Sequence, residues 1–435
     1  MGSSCSLRIR TDLLSMQIVN KAKDASMAWY KGNLHMHSYW SDGHGFPEMV
    51  ADWFKSEGYH FIAFTEHDQH QIGEKWVSRD GAKRVGRSMQ EGNLLEKYVE
   101  RFGRDWVETR GGELGEVRVK PLQEYRHLIE EAERFLIISG EEVTTKWGYV
   151  NDWSQTHWIN VFNTPAAVEQ QHDPDSSPRA IQATFDAARS LGAASGSEIL
   201  VFLNHPNYDW NATAEDIAAV AELRHIEIYT ALNMCATFGD ALHCPVERLW
   251  DVALTLRLSK GGDLIYGLAS DDCHAYAHHF EFADTALPGR AWICVRSDEL
   301  AAESILRSIN GGDYYCSSGV GLDEVEIGDE GIALQIRPQE GARYTTQFIG
   351  TPKGVDLSSK AVLDTTGKQV RTTRTYTQEI GHVLHETNDL APFYTFTGDE
   401  LYVRAVVSSS RAHANPTSPD DCERAWTQAA GPAKT

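Results

Sequence analysis

Cysteine is sparse in this chain and follows no metal-binding or disulfide spacing. Seven cysteines are dispersed over 435 residues, with no CxxC pair among them. An odd and scattered set predicts neither a disulfide framework nor a structural zinc knuckle. Long apolar runs are also missing, since no segment reaches the ~18 apolar residues that span a bilayer. We therefore expect a protein of the reducing cytoplasm that has no membrane partner.

Positive charge is in short supply as well. The 40 basic residues are outnumbered by 62 acidic ones, which gives a formal net charge of -22. Such a field repels nucleic-acid phosphates, and no Lys/Arg cluster overturns it locally, so we expect a small-molecule substrate and no nucleic-acid partner. The GxSxG elbow of serine hydrolases is absent too, which disfavours that class. The sequence leaves the oligomeric state open.

What the chain does contain is an alternation of short apolar runs and amphipathic stretches. Its length alone indicates a large barrel or two domains. Strands that alternate with helices predict an α/β fold of parallel βαβ units, which could close as a barrel. Strands are predicted at 32–35, 60–64, 135–139, 158–162, 199–203, 225–229 and 264–269. Helices are predicted at 47–57, 122–134, 178–191, 213–223, 246–259 and 298–309.

Composition also predicts where domains begin and end. Residues 1–28 form a lead-in, and the α/β unit covers 29–310. Residues 69–120 interrupt the alternation of strands and helices in that unit and are predicted to be an inserted, lid-like segment. From 311 to 435 the pattern changes to short alternating runs at 322–327, 332–336, 343–348 and 401–407. This pattern predicts a C-terminal β-rich domain or extension that packs on the barrel.

The most informative local feature is His35-Met36-His37, followed by Asp42. Side chains alternate along a strand, so two histidines separated by one residue lie on the same face. An ordinary core has little use for two adjacent polar rings that both need hydrogen-bond partners. A second cluster, Thr65-Glu66-His67-Asp68, ends the apolar run at 61–64. The spacing favours a pair of metal ligands at the end of the first strand.

Other residues that can bind metals fall at the ends of nearly every predicted strand, and barrel strands bring their carboxyl ends to one face. Taken singly, Asp42 suits a turn and Asp272 a helix N-cap. A lone His157 or His205 is more often a hydrogen-bonded core histidine. Glu227 needs a partner under any interpretation, because a buried unpaired carboxylate is costly. Together they predict a multinuclear metal site. The set comprises Asp42, His67, Glu141, Glu142, His157, His205, Glu227, Asp271, Asp272 and His274.

In their order along the chain, these segments resemble the motifs of the polymerase and histidinol phosphatase (PHP) superfamily. The resemblance covers about residues 29–310 and implies a distorted (β/α)7 TIM-like barrel. It also implies two or three divalent metal ions at the C-terminal strand ends, of which zinc, manganese and iron suit histidine and carboxylate ligands. The matching segments are His35-Met36-His37-Ser38, Ser41-Asp42-Gly43, Thr65-Glu66-His67-Asp68, Gly140-Glu141-Glu142-Val143-Thr144, His157, Asn204-His205-Pro206 and Ser270-Asp271-Asp272-Cys273-His274.

The resemblance distributes the ligands over three sites. Where two acids are neighbours, the motif spacing favours Glu142 and Asp272. One departure is Glu66, which stands where the superfamily usually has Asp, so the support of His67 and the occupancy of a third site are left open. The first site would comprise His35, His37, Glu142 and Asp272, the second Glu142, His157 and His205, and the third Asp42, His67 and His274.

The C-terminal part carries a looser resemblance. The segment 311–319, the β segments after it, and the pieces 402–405 and 425–427 are similar to the branch that includes carbaryl-type carbamate hydrolases. Those motifs suggest a subfamily and leave the substrate open.

The function expected from these residues is ester hydrolysis by a hydroxide that bridges two metals, most simply of a small phosphate mono- or diester. Asp272 is the candidate base, and His205 or His274 could assist the leaving group. Arg290 could contact an anionic substrate, although a surface Arg paired with a carboxylate is an equal alternative. A carbamate, amide or carboxylic-ester hydrolase is the second hypothesis, because Lys and Arg are scarce near the ligand segments. A non-catalytic, metal-stabilised binding protein is the third.

Overall fold

The structure is a computed structural model that describes residues 27–79, 93–112, 115–149, 152–276 and 287–432. Nearly all of the predicted lead-in, and parts of the predicted insertion, lie outside these residues. The helices are α1 (Pro47–Ser56), α2 (Leu94–Phe102), α3 (Leu122–Ile129), α4 (Ser177–Ser195), α5 (Ala214–Ala219), α6 (Val246–Leu258) and α7 (Ala302–Asn310).

The strands are β1 (Ala28–Asn33), β2 (Phe61–His67), β3 (Lys75–Ser78), β4 (Thr109–Arg110), β5 (Glu116–Val119), β6 (Leu136–Trp147), β7 (Thr156–Phe162), β8 (Gln171–Asp173), β9 (Leu200–Leu203), β10 (His225–Thr230), β11 (Tyr266–Ser270), β12 (Trp292–Ser297), β13 (Tyr314–Ser317), β14 (Leu322–Gly328), β15 (Gly331–Ile336), β16 (Tyr344–Pro352), β17 (His382–Thr387), β18 (Phe393–Thr395), β19 (Glu400–Ala412) and β20 (Cys422–Trp426).

One large sheet organises the molecule, in the order β11-β10-β9-β7-β6-β2-β1-β12-β13-β20-β19-β16-β17. Parallel ladders join β1 to β2, β2 to β6, β9 to β10 and β10 to β11. Strand β7 differs from the predicted run of parallel units, since it is antiparallel to both β6 and β9. The antiparallel pairing of β6 with β7 follows from the connection between Trp147 and Thr156, which is shorter than the dozen or more residues that a parallel crossover requires.

The two ends of the α/β part of this sheet meet at their carboxyl termini. Asn33, the last residue of β1, donates from Nδ2 to Asp271 Oδ2 at 2.7 Å, just after β11. Beyond these strands Met36 and Cys273 form a parallel bridge, and the His37 N–H donates to the Cys273 carbonyl at 3.0 Å. Within the described residues no continuous ladder joins β1 to β11. The fold is therefore a mixed α/β structure built on a sheet rich in parallel pairs.

Local chemistry accounts for several element boundaries. Helix α4 begins at a Ser176 cap that accepts the Arg179 N–H at 3.3 Å, and α5 begins at a capping box formed by Thr213 and Asp216. Helix α5 ends earlier than predicted. Just beyond its last residue, the Val220 carbonyl accepts a hydrogen bond from the buried guanidinium of Arg257 at 2.6 Å.

The C-terminal β-rich region continues the large sheet. Strand β12 pairs antiparallel with β1, and β13, β20, β19, β16 and β17 follow. A separate sheet of order β14-β15-β18 packs over these strands around Leu322, Val325 and Ile332. The region is held to α6 by Arg404, whose buried guanidinium donates to both carboxylate oxygens of Asp251 at 2.9 and 2.8 Å.

The described part of the 69–120 segment is an antiparallel sheet of order β3-β5-β4 with helix α2. It packs on α1, where Trp106 Nε1 donates to Glu48 Oε1 at 2.8 Å. It also meets the loop that carries Asp42, because Trp40 Nε1 donates to the Lys120 carbonyl at 2.9 Å. A lid function for this segment stays a prediction. Among the described helices, none has the length and apolar character needed to cross a bilayer.

Candidate metal centre

Five imidazoles and three carboxylates converge at the carboxyl ends of the strands that carry the sequence motifs. They form three overlapping groups, in each of which the potential ligand atoms lie within 4.8 Å of one another. Most of these side chains are fully or nearly fully buried. The groups are His37, Asp42, His67 and His274; His35, His205 and Asp272; and His35, His37 and Glu142.

Glu142 on β6 is the carboxylate shared most widely by the imidazoles. Its Oε1 lies 3.3 Å from Nε2 of both His35 and His205. Its Oε2 lies 2.9 Å from His67 Nδ1 and 3.5 Å from His37 Nε2. Burial by itself would raise the pKa of Glu142, but the surrounding imidazoles hold it well below its usual range. The carboxylate is therefore ionised and able to bridge two cations.

Asp272 faces Glu142 across the cluster. Its Oδ1 lies 3.2 Å from His35 Nε2 and 3.3 Å from His37 Nε2. The Asp272 backbone has a φ of 49°, a strained left-handed conformation for a residue other than glycine. The neighbouring Asp271 is directed elsewhere, since its Oδ1 accepts the Arg290 and Ala291 N–H groups at 2.8 Å. Thus the chain places Asp272, and not Asp271, among the imidazoles.

Asp42 gathers the remaining histidines. Its Oδ1 lies 3.3 Å from Nε2 of both His67 and His274, and 3.8 Å from His37 Nδ1. The rings of His37 and His274 stack with centroids 4.2 Å apart. Although burial opposes it, the neighbouring imidazoles of His274 and His67 lower the pKa of Asp42 far below its usual value. The predicted third set of ligands is thus brought together, with His37 beside it.

The donor set fits divalent cations. The buried atoms His35 Nε2, His37 Nε2, Asp42 Oδ1 and Asp272 Oδ1 have no hydrogen-bond partner among the described residues, although all point into the cluster. Buried polar atoms are rarely left in this condition without an unseen partner. Imidazole nitrogen and carboxylate oxygen at these spacings suit zinc, manganese or iron.

Glu227, which the sequence marked only as a costly buried acid, orients the first histidine. Its Oε1 lies 2.8 Å from His35 Nδ1 and its Oε2 accepts the His205 N–H at 2.8 Å. Thr230 and Ser270 donate their hydroxyls to the same carboxylate at 2.9 and 2.5 Å. With a proton on Nδ1 shared with Glu227, His35 keeps the lone pair on Nε2 for a metal.

Glu66 supports the loop after the first histidines. Ser38 Oγ and Ser41 Oγ each donate to it at 2.5 Å, and Gln71 Nε2 donates at 2.7 Å. Ser41 Oγ in turn lies 3.2 Å from His37 Nδ1. Glu66, which is longer than the usual Asp, therefore binds Ser38 and Ser41 in the loop after His37. His67 is contacted instead by Asp42 and Glu142.

Of the residues that the family resemblance assigns to the three metal sites, His157 is the one that the structure does not bring into any of the three groups. Its Nε2 lies 2.8 Å from Ser177 Oγ, on the helix side of the sheet, and burial lowers its pKa to about 4. The register of β6 and β7 explains this placement. Glu142 is opposite Asn160, so Asn160 and Trp158 share the face of Glu142 while His157 faces the other way.

Arg290, the predicted contact of an anionic substrate, binds the backbone next to strand β10. Its side chain is buried and donates from Nη1 to the Ala231 carbonyl at 3.0 Å. Two asparagines that sequence reasoning passed over are part of the site instead. Asn204 donates from Nδ2 to Glu142 Oε1 at 2.7 Å and to Asn160 Oδ1 at 2.8 Å. The position of Asn204 just before His205 was the available signal.

Comparisons with known proteins give little beyond this geometry. No family model and no curated protein matches the chain. One similar solved structure is a two-domain protein of Bacteroides vulgatus containing a predicted PHP-like metal-dependent phosphoesterase, at 14% identity, with 93% of this chain and 96% of that chain covered and a TM-score of 0.37. Another is a candidate metal-dependent phosphoesterase of Bifidobacterium adolescentis, at 13% identity, with 56% and 87% covered and a TM-score of 0.27.

The first of these descriptions names the superfamily that the sequence motifs resemble, and neither names a carbamate hydrolase. Because both TM-scores are below 0.5, neither likeness bears on the activity of this chain.

Proposed function

We propose that this protein is a metal-dependent phosphoesterase that hydrolyses a small phosphate mono- or diester. The observation that carries the proposal is the set of unpartnered nitrogen and oxygen atoms around Glu142. Nε2 of His35 and Nε2 of His37 lie 3.2 and 3.3 Å from Asp272 Oδ1, and none of these three atoms has a hydrogen-bond partner among the described residues. The arrangement is costly for protein stability unless positive charge is supplied from outside.

The chain would divide the work of hydrolysis among these residues. When bound, two divalent ions would acidify a water molecule and neutralise charge on the ester. Glu142 would be among the residues that hold the ions, and Glu227 would keep His35 in the ligating tautomer. Asp272 would accept a proton from the attacking water while the oxygen of that water forms a bond to phosphorus. His205 or His274 would protonate the ester oxygen as the P–O bond breaks.

We further propose that β1, β2, β6, β7, β9, β10 and β11 curve into a distorted (β/α)7-type barrel. The support is the contact between the two ends of this series, where Asn33 meets Asp271 and Met36 pairs with Cys273. Closure at the carboxyl ends is what brings His35 and Asp272 within 3.2 Å of each other. A cluster on this face agrees with where barrels carry their active sites.

A carbamate, amide or carboxylic-ester hydrolase is the second candidate, and one observation favours it. In the described part of the chain, Asp42, Glu142 and Asp272 form their ion pairs with histidines and not with Lys or Arg. Arg290 donates to a backbone carbonyl, and Lys75 donates to the Trp40 carbonyl. A doubly charged phosphate usually attracts one or two cationic side chains, whereas a carbamate does not.

Metal analysis followed by paired assays tests the proposal. We expect at least one transition-metal ion per chain, turnover of nitrophenyl phosphate, and loss of both in His35→Ala. The exposed His385 on β17 offers a matched control, and His385→Ala should retain metal and activity. Metal content well below one ion per chain would overturn the proposal. Turnover of nitrophenyl carbamates alone, lost in His35→Ala, would establish the second candidate.

The proposed setting is a reducing one, such as the cytoplasm, with a small-molecule substrate. Six cysteines in the described residues are unpaired: Cys235, Cys244, Cys273, Cys294, Cys316 and Cys422. Unpaired cysteines in this number are typical of proteins kept in reducing compartments. The net charge of -22 supports a small substrate over a nucleic acid.

A further inference from the structure

An aromatic wall begins at the metal cluster and runs outward from His205. The ring of Trp158 lies 5.5 Å from His205 and 4.9 Å from Tyr208, measured between centroids. Trp153 continues the wall, since its ring is parallel to Trp158 within 2° at a centroid distance of 6.2 Å. The strand register places Trp158 on the same face as Glu142, so this wall adjoins the candidate site and not the helical layer.

An open cleft of about 630 Å³ lies at the outer end of this wall. Its aromatic rings are unusually accessible, with Tyr149 81% exposed and Trp153 56% exposed. The cleft is wide open to solvent, and exposed aromatic side chains commonly mark binding surfaces. The described lining residues are Tyr149, Asp152, Trp153, Ser154, Asp209 and Trp210.

The backbone on one side of the cleft is left-handed at two consecutive residues. Asp209 and Trp210 have φ values of 49° and 54°, a left-handed conformation that is costly for both residue types. Trp210 is held there by stacking on His243, with centroids 3.8 Å apart and planes within 7°. Local strain of this kind is found where function requires a particular side-chain position.

The charges around the cleft restrict what could bind. Asp152 and Asp209 line it, and the lining contains no basic residue among those described. One described cation lies beside the cleft: Lys146 Nζ is 5.5 Å from the centroid of Trp153. An acidic rim repels phosphate, so a phosphate ester would direct its anionic end toward the metal cluster and its organic end into the cleft.

We propose that this cleft, between Trp153 and Trp210, binds the organic part of the substrate, and that this part is a flat aromatic ring without negative charge. This inference rests on the proposed phosphoesterase function and adds its substrate class. The parallel faces of Trp153 and Trp158 offer a stacking surface, while aliphatic groups gain less from flat rings. Trp153 is then a specificity-determining residue, and it is linked to His205 through the ring of Trp158.

Benzyl phosphate and cyclohexylmethyl phosphate form a matched pair of probes, because they differ in ring flatness while both leave as primary alcohols. We expect the protein to prefer benzyl phosphate in kcat/KM by about tenfold. In Trp153→Ala this ratio should fall to about one, mainly through a higher KM for the benzyl ester. Trp153→Phe should restore most of the preference. The exposed Phe393 on β18, outside the cleft, provides the control variant Phe393→Ala, which should keep the ratio.

Calorimetric binding of the non-hydrolysable benzylphosphonate and cyclohexylmethylphosphonate separates the two proposals. A benzyl preference that depends on Trp153, without turnover of either ester, would support the ring site and contradict the phosphoesterase function. If both esters are hydrolysed and the ratio of their kcat/KM values is the same in wild type and Trp153→Ala, the phosphoesterase function is supported and the ring site is overturned. Equal binding of the two phosphonates to wild type would also overturn the ring site.

Discussion

Glu227 Oε1 lies 2.8 Å from His35 Nδ1, and this contact decides which nitrogen of the imidazole faces the metal cluster. Both side chains are fully buried. The other carboxylate oxygen binds the backbone of His205, so one acid on β10 positions two predicted ligands. Such carboxylate–histidine pairs raise the basicity of the ligand and restrict its orientation.

The first prediction concerns this pair. Glu227→Gln keeps the shape of the side chain but removes its charge, and the new amide can present an N–H to Nδ1 of His35. We expect zinc affinity to fall by about 10- to 100-fold while the fold is retained. Competition with a chromophoric chelator measures the dissociation constant, and circular dichroism checks the fold. Glu386→Gln, at an exposed acid of β17, is the control. An unchanged dissociation constant would show that Glu227 does not position the ligand.

The second prediction separates His157 from the other histidines. Because its ring faces Ser177 and the helical layer, His157→Asn should leave metal stoichiometry and affinity unchanged within about twofold. His205→Asn should lower both, since His205 Nε2 faces Glu142 at 3.3 Å. Plasma emission spectroscopy on the two purified variants makes the comparison. Loss of a metal ion in His157→Asn would show that His157 is a ligand and would contradict the orientation of its ring toward Ser177.

These cases show what the sequence could and could not predict. The sequence was sufficient to predict that four ligands meet, because the carboxyl ends of barrel strands lie on one face whatever the details of packing. These ligands are His35, His37, Glu142 and Asp272. The structure places His157 on the opposite face from the cluster, because a shift of one residue on a strand reverses the face, and the motif did not specify the antiparallel direction of β7.

Hydrogen bonds between side chains on different strands were still harder to predict from the sequence. Glu227 and His35 are far apart in sequence, and nothing local to either residue specifies the other. Likewise the Asn204 amide reaches Glu142 only because β9 and β6 flank β7 in the folded sheet. The continuity of the C-terminal strands with β1 depends on the antiparallel pairing of β12, for which the sequence carried no signal.

The third prediction concerns the joint between α6 and the C-terminal strands. Arg404 and Asp251 form a bidentate, nearly inaccessible ion pair, and Tyr402 also donates to Asp251 Oδ1 at 2.7 Å. Asp251→Asn leaves a buried guanidinium without its main counter-charge. We expect the free energy of unfolding to fall by about 3 kcal/mol, measured by urea denaturation. Asp389→Asn, at an exposed position, serves as the control. A loss below about 0.5 kcal/mol would show that Glu247 compensates fully.

The last prediction concerns stability as a function of pH and uses a histidine remote from the metal cluster. His225 on β10 is buried against the rings of Tyr266 and Tyr314, and its Nε2 lies 2.9 Å from the Ile309 carbonyl. Burial, with a smaller effect of the neighbouring Arg224, lowers the pKa of His225 to about 4. In the unfolded chain its pKa is near the ordinary value of about 6.5.

Between these two values the unfolded chain binds a proton that the folded protein does not. The stability contributed by His225 is therefore complete above about pH 6.5 and is lost as the pH falls toward about 4. In His225→Gln, whose amide can still donate to Ile309, the loss of unfolding free energy between about pH 7.5 and about pH 5 should be smaller by about 2 kcal/mol than in wild type. Urea denaturation of both proteins in chelator measures this difference, and the metal ligands contribute equally to both. Parallel stability curves would show that the pKa of His225 is the same in the folded protein as in the unfolded chain.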